Sequence, residues 1–296
     1  MMWTKSCFFL LVLLLSCFCF KAVTEEARKV ASMRIIITSA VGNADRRHAC
    51  RVSWLKWVKD LQHTISYSFY IDSPTTDANR VRIQEEASSF QDMVVLNATM
   101  PKDFNQACNF RRWEAMTIEY NHFQDKIDYY AVADDDSFIC IHHLLSDSKY
   151  WPVSKRVHIA HFRGGPDVIS IYSRLLVKDA LQLIPTRPGM KYSTLFQVSH
   201  AIKGLININD VRLTFGPRGQ KEKHYNDMKN GWIGVDLLKD TEKKSICNHY
   251  LSFHQVYPDI MLDLWSHVTD RPSPKEFTVP ILSRDTVGLD TTKGNR

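Results

Sequence analysis

Tyr129-Tyr130-Ala131-Val132-Ala133-Asp134-Asp135-Asp136 runs from an uninterrupted apolar and aromatic stretch straight into three consecutive carboxylates. A short run without alternation offers no polar face to water, which predicts a strand buried on both sides. In parallel α/β sheets ligands bind beyond the carboxyl ends of the strands, so Asp134, Asp135 and Asp136 are expected where chemistry takes place. Three adjacent like charges repel one another unless a divalent cation, backbone donors or water offset them. Hard oxygen ligands point to Mg²⁺ or Mn²⁺ rather than zinc. An EF-hand is excluded, because its ligands alternate along a glycine-containing loop and these are contiguous.

Upstream of this strand the patterns alternate. Arg34 to Ser39 is a β-branched strand, Val41-Gly42-Asn43 a turn, and Cys50 to Leu61 a helix; Ser66 to Ile71 is a strand and Asp77 to Phe90 a helix; Met93 to Leu96 is a strand and Asn105 to Phe123 a long helix. Strand and helix in turn are the signature of βαβ units, so the fold class expected is α/β, with a mostly parallel central sheet flanked by helices. Downstream, Val157 to Ala160 and Val168 to Ile171 read as strands and Leu175 to Leu183 as a helix. Ser193 to Lys203 reads as a helix closing at Gly204, and Asp210 to Phe215 as a strand stopped by Gly216-Pro217.

The 296 residues are 44% hydrophobic, 11% aromatic and 24% charged, the balance of a chain that buries a core. Wholesale disorder, a collagen-like repeat and a polytopic membrane protein are excluded. A net charge of +6 suits an anionic ligand or a membrane surface and falls short of a nucleic-acid stripe, so no nucleic-acid partner is expected. The uncharged run Ser6 to Phe20 is shorter than the roughly 20 residues a bilayer span needs. It reads as a short signal anchor or as the apolar part of a cleaved signal peptide. The expected division is therefore 1–23 signal anchor or signal peptide, 24–32 short stem, 33–270 folded body and 271–296 extended tail, carrying Pro272, Pro274 and Pro280. On either reading the body is translocated. An anchored chain would sit in a Golgi or ER membrane as a single-pass type II protein, and a cleaved one would be secreted.

Cys50, Cys108, Cys140 and Cys247 lie in the body and permit two disulfides in any of three pairings. Their spacing excludes a CxxC metal site. Asn97-Ala98-Thr99 is an N-glycosylation sequon, which agrees with a lumenal route.

Several segments, in order, resemble the β-1,3-glycosyltransferase superfamily that includes the β-1,3-galactosyltransferases, core 1 synthases and fringe proteins. Arg46-Arg47-His48-Ala49-Cys50-Arg51-Val52-Ser53-Trp54 is similar to its Arg-Arg…Arg-x-Thr-Trp signature. Glu85-Glu86 with Phe90-Gln91-Asp92-Met93 resembles its Glu…Tyr-x-Asp-Ile element, and Asn109 with Arg112 falls near its Asn-Leu-Thr-x-Lys helix. Tyr130 to Ile139 resembles its Tyr-x-x-Lys-x-Asp-Asp-Asp-x-Phe-Val strand. The resemblance covers about Arg34 to Leu145 and is patchy beyond.

It implies a Rossmann-like, GT-A type nucleotide-sugar domain and an inverting, Mn²⁺-dependent (or Mg²⁺-dependent) hexosyltransferase. Such an enzyme moves galactose or an N-acetylhexosamine from a UDP-sugar to a hydroxyl of a glycan on a glycoprotein or glycolipid. Asp136 would be a metal ligand, joined by His254 in Phe253-His254, with His249 and His224 as competitors; Asp134 and Asp135 would contact the donor. Arg47 and Arg51, one helical turn apart, would face its phosphates. The base would be Asp210, in Asn209-Asp210-Val211 where the family has Glu-Asp-Val. The family continues as a helix there and this chain as a strand. Val168 to Ser173 also lacks the family's acceptor-side glycines, with Gly164-Gly165 just upstream. The alternative is a catalytically impaired relative that binds nucleotide or glycan without turnover. A metal-dependent hydrolase lacks the accompanying His-x-His or paired-Asp motifs.

Overall fold

The structure is a computed structural model that describes residues 30–124, 126–161, 169–187, 189, 193, 197–198, 201–210, 212–215 and 239–268. Met1–Val30 and Ala31–Arg296 are separate compact units. The first has Val30 as its only described residue, and the fold is that of the second. The expected anchor, most of the stem, Gly164-Gly165, His224 and the tail all lie outside the described residues. Among the described residues no helix is long and apolar enough to cross a membrane.

In chain order the strands are β1 (Met33–Ser39), β2 (Ile65–Asp72), β3 (Met93–Leu96), β4 (Tyr129–Asp134), β5 (Phe138–Ile139), β6 (Arg156–Ala160), β7 (Ile169–Ser173), β8 (Leu205–Asn209), β9 (Leu213–Phe215) and β10 (Ser252–His254). The helices are α1 (Ala44–Val52), α2 (Leu55–Asp60), α3 (Asp77–Phe90), α4 (Phe104–Phe123), α5 (Ile141–Ser148), α6 (Arg174–Leu183), α7 (Asp240–Lys244), α8 (Ile246–His249) and α9 (Pro258–His267). Seven strands form a mostly parallel central sheet in the order β3-β2-β1-β4-β7-β6-β8, with β7 antiparallel to both its neighbours. Every residue of β1 is buried, as are the first five of β4. One face of the sheet packs Ile36, Tyr70, Tyr130, Val132 and Tyr172 against Trp113 and Met116 of α4 and Leu176 and Val177 of α6. On the α2 side, that helix packs against β2. Sheet and helices together give the expected α/β class.

The chain runs β1, β2, β3 towards one edge and returns to place β4 on the other side of β1. The carboxyl ends of β1 and β4 therefore meet where the winding reverses. An open parallel sheet leaves a crevice at that point, because the connections leave in opposite directions.

Local chemistry sets the element ends. Thr76 and Asp103 accept from the amides of Asn79 and Gln106 and cap α3 and α4. The expected helix over Cys50 to Leu61 is instead two helices that begin earlier, at Ala44, and break at Ser53. The Ser53 hydroxyl donates to the carbonyls of Ala49 and Cys50, which competes with the helical ladder at that turn. The expected strand from Asp210 narrows to β9. A strand the patterning did not foresee, β8, follows Gly204, whose φ of +73° is a conformation that favours glycine. The sequon residue Asn97 is exposed just beyond β3, an edge strand of the sheet.

Candidate functional site

Register brings the first two carboxylates to the crevice. Thr38 at the end of β1 is the direct neighbour of Asp134 at the end of β4, and its hydroxyl donates to Asp134 Oδ1. Ser39 Oγ donates to Asp135 Oδ2 at 2.6 Å, joined by Asn43 Nδ2 at 2.9 Å. Asn43 occupies the N-cap position of α1 but makes no side-chain cap there, its amide being turned to Asp135 instead. Asp135 is thus a buried clamp between β4, β1 and the start of α1. Burial pushes its carboxyl up, against the opposing bonds from Ser39 and Asn43.

A second, three-stranded sheet, β5-β10-β9, supplies the rest. β10 pairs antiparallel with β5, placing Phe253 opposite Phe138, so the next residue, His254, falls beside the aspartates just upstream of β5. The Val256 amide donates to the Asp136 carbonyl at 2.8 Å and the Cys140 amide to the Leu251 carbonyl at 2.9 Å, while the disulfide Cys140–Cys247 ties the two segments covalently. Two disulfides were permitted and one forms; Cys50, buried, and Cys108, half-buried, are free.

His254 Nε2 lies 3.1 Å from Asp136 Oδ1 and 3.5 Å from Asp134 Oδ2. One ligand atom from each of Asp134, Asp136 and His254 falls within 4.8 Å of the others. Asp136 Oδ1 is buried and faces the His254 imidazole at 3.1 Å, so carboxylate and ring present their ligand atoms to the same point. Two carboxylates and an imidazole fit Mn²⁺ well and Mg²⁺ less well, since the nitrogen donor favours the transition metal. Without a cation, burial disfavours the charged imidazole, but bonds to Asp134 and Asp136 outweigh it and raise the His254 pKa to about 9. Burial likewise disfavours the charged Asp134 carboxylate. Arg112, 3.0 Å away, then His254 and Thr38, hold it well below the usual carboxylate range.

Arg46 also reaches the aspartates. Its Nη1 lies 3.3 Å from Asp135 and 3.2 Å from Asp136, and its guanidinium rests 5.0 Å above the Tyr257 ring. Neither Arg46 nor the role of Arg112 at Asp134 was foreseen, although both stand in motifs that the sequence displays.

Arg47 and Arg51, expected at the phosphates, are committed elsewhere. Fully buried Arg47 makes a two-pronged pair with Glu86 and donates to Ser39 and to the Ala40 carbonyl. Arg51 makes a two-pronged pair with Asp92, a third bond to Glu86, and lies over the Phe69 and Phe90 rings. The two do share a helix face, as their spacing predicts, but that face meets Glu86 and Phe90 of α3 and Asp92 just before β3.

Asp210 stands outside the Asp134–Asp136–His254 cluster. Its Oδ1 accepts from the Arg212 amide at 3.0 Å and from Arg212 Nε at 2.9 Å, and its Oδ2 from Arg212 Nη2 at 2.6 Å. Arg212 bonds Asp147 of α5 as well. A side chain that takes the amide two residues on forms an Asx-type turn, which leads into β9 and does not open a helix. His249, the competitor of His254, is exposed at the end of α8.

No family model and no curated protein matches the sequence. Solved structures resemble the fold at low identity. A glycosyltransferase involved in glycosylation of the major capsid of PBCV-1 aligns with 79% of this chain and 98% of its own, at 8% identity and a TM-score of 0.41. The galactosyltransferase LgtC, in complex with donor and acceptor sugar analogs, aligns over 81% and 98% at 11% identity and a TM-score of 0.43. The mannosyltransferase PcManGT from Pyrobaculum calidifontis, in complex with GDP-Man and Mn²⁺, aligns over 51% and 47% at 8% identity and a TM-score of 0.32. At these scores the chemistry of the site must be read from its own residues.

Proposed function

We propose that the chain is a metal-dependent glycosyltransferase that takes a hexose from a UDP-sugar and transfers it, with inversion, to a glycan hydroxyl. The observation that carries this reading is the convergence of Asp134, Asp136 and His254 on one point at the crevice between β1 and β4. Asp136 and His254, with Asp134 beside them, would hold a Mn²⁺ ion. Once bound, such a cation offsets the charge that builds on a leaving diphosphate. Asp135 keeps the loop in place, Arg112 orients Asp134, and β10 fixes the imidazole. The ordered resemblance to the β-1,3-glycosyltransferases supports UDP as the carrier, a β-1,3 linkage, a GT-A type domain and a secretory-pathway membrane location through residues 1–23.

A second reading rests on Asp210. A base must reach the acceptor hydroxyl, and this carboxylate already receives three hydrogen bonds from Arg212. That engagement favours a binding module that holds nucleotide or glycan without turnover. A mass-based assay of the folded protein with Mn²⁺ and UDP-Gal, UDP-GlcNAc, UDP-GalNAc or UDP-Glc separates the two. Release of UDP from one donor, falling about 100-fold or more in Asp210→Asn, supports the enzyme with Asp210 as base. UDP binding with neither hydrolysis nor transfer supports the binding module.

A further inference from the structure

Arg46, Arg112 and His254 surround Asp134, Asp135 and Asp136, and they are held very differently. His254 is nine-tenths buried and fixed by β10, and Arg112 is buried beneath Asp134. Arg46 is the loosest. Its side chain is 27% exposed and reaches two carboxylates through the single nitrogen Nη1 at 3.2–3.3 Å. Its other nitrogens make no hydrogen bond among the described residues. By contrast Arg47, Arg51 and Arg111 each grip one carboxylate with two nitrogens at 2.6–2.9 Å. The two-pronged geometry is the strong one, and a shared single-nitrogen contact leaves the planar fork open for another anion. Arg46 therefore combines a weak hold on Asp136, a half-buried position at the crevice and unused donors.

We propose that Arg46 is an exchangeable counter-ion of this site: it neutralises Asp135 and Asp136 in the metal-free protein, yields Asp136 to an entering divalent cation, and turns its fork to the diphosphate that arrives with it. This rests on the reading of the site as one for a nucleotide diphosphate and its cation. A cation entering alone takes Asp136 from a guanidinium that then keeps only its 3.3 Å contact to Asp135 and the Tyr257 ring. A cation entering with a diphosphate gives that guanidinium a better partner. Cation and nucleotide consequently reinforce each other through Arg46, an interaction of the size usual for coupled sites, about 5- to 150-fold.

Calorimetric titration of Mn²⁺ alone, and of UDP at saturating Mn²⁺, tests this on the wild-type protein, Arg46→Ala and Arg46→Lys. Arg46→Ala is expected to bind Mn²⁺ alone about 5-fold more tightly and UDP about 10-fold more weakly, with Arg46→Lys in between. In metal-free buffer Arg46→Ala melts below wild type, and Mn²⁺ raises its melting temperature by more than it raises that of wild type. A purely structural arginine would weaken both ligands when removed; that outcome, or Mn²⁺ and UDP affinities equal to those of wild type, overturns the inference alone. A wild-type protein that binds neither Mn²⁺ nor UDP overturns the reading of the site itself.

Discussion

Glu86 holds two arginines of another helix at once, and the cost of losing it is set by how deeply they lie. Arg47 is fully buried and Arg51 nearly so, and each is paired with Glu86. Removing one partner of a buried pair leaves a desolvated charge, at a cost of about 3–5 kcal/mol. Glu86→Gln is therefore expected to lose stability of that order in a denaturant melt. Its acid dependence has a definite sign. Burial raises the Glu86 carboxyl, the bonds from Arg47 and Arg51 outweigh it, and the net shift is downward. A lowered folded pKa gives stabilisation that is complete above the unfolded value, near 4.5, and is lost as pH falls through the folded value. The wild-type melting temperature should fall more steeply than that of Glu86→Gln over that acidic range; parallel curves would remove the pairing from the account. The same residues mark what the sequence could and could not tell. Helical spacing correctly put Arg47 and Arg51 on one face. It could not say that the facing acids would come from Glu86 and Asp92, because that depends on how α3 and β3 pack. Arg46, one residue earlier, was passed over for the same reason.

At the level of elements, the metal-type cluster depends on a pairing too short to be visible as a pattern. Most of the strands and helices up to Asp134 were legible because each carries a full period of apolar residues or a capping residue. β5 and β10 have two and three residues and carry no such signal. His254 was found only because Phe253-His254 resembles a family motif, and its place beside Asp136 comes from β10 lying against β5. The disulfide Cys140–Cys247 holds that pairing across a separation of 107 residues. Closing so long a loop removes considerable entropy from the unfolded chain, and loss of such a link typically costs about 2–4 kcal/mol. Cys140→Ser combined with Cys247→Ser should lower stability by that amount and weaken Mn²⁺ binding about 10-fold, as loss of a residue that supports a ligand commonly does. Reductant should lower the melting temperature of wild type and leave the double variant unmoved. An equal response in both would mean that the link carries no part of the stability.

Across the whole molecule, one reversal of winding explains why chemistry gathers where it does. β1 and β4 are adjacent and parallel, their connections depart in opposite directions, and Thr38, Ser39, Asp134 and Asp135 stand at the mouth so formed. The net charge of +6 describes none of this, since the site balances three carboxylates against Arg46, Arg112 and His254 within a few ångströms. The alternation of strand and helix was enough to foresee the sheet. The chemistry of the acceptor side was not legible, because Asp210 is bonded to Arg212, whose guanidinium is in turn held by Asp147 from a distant part of the chain. The central claim is that Asp134, Asp136 and His254 hold a divalent cation together with a nucleotide diphosphate. Electron paramagnetic resonance of Mn²⁺ titrated into the protein with UDP measures this directly, in wild type and in Asp136→Ala. The account predicts one bound Mn²⁺ per wild-type chain and an affinity lower by about 100-fold or more in the variant; equal Mn²⁺ binding by the two proteins would contradict it.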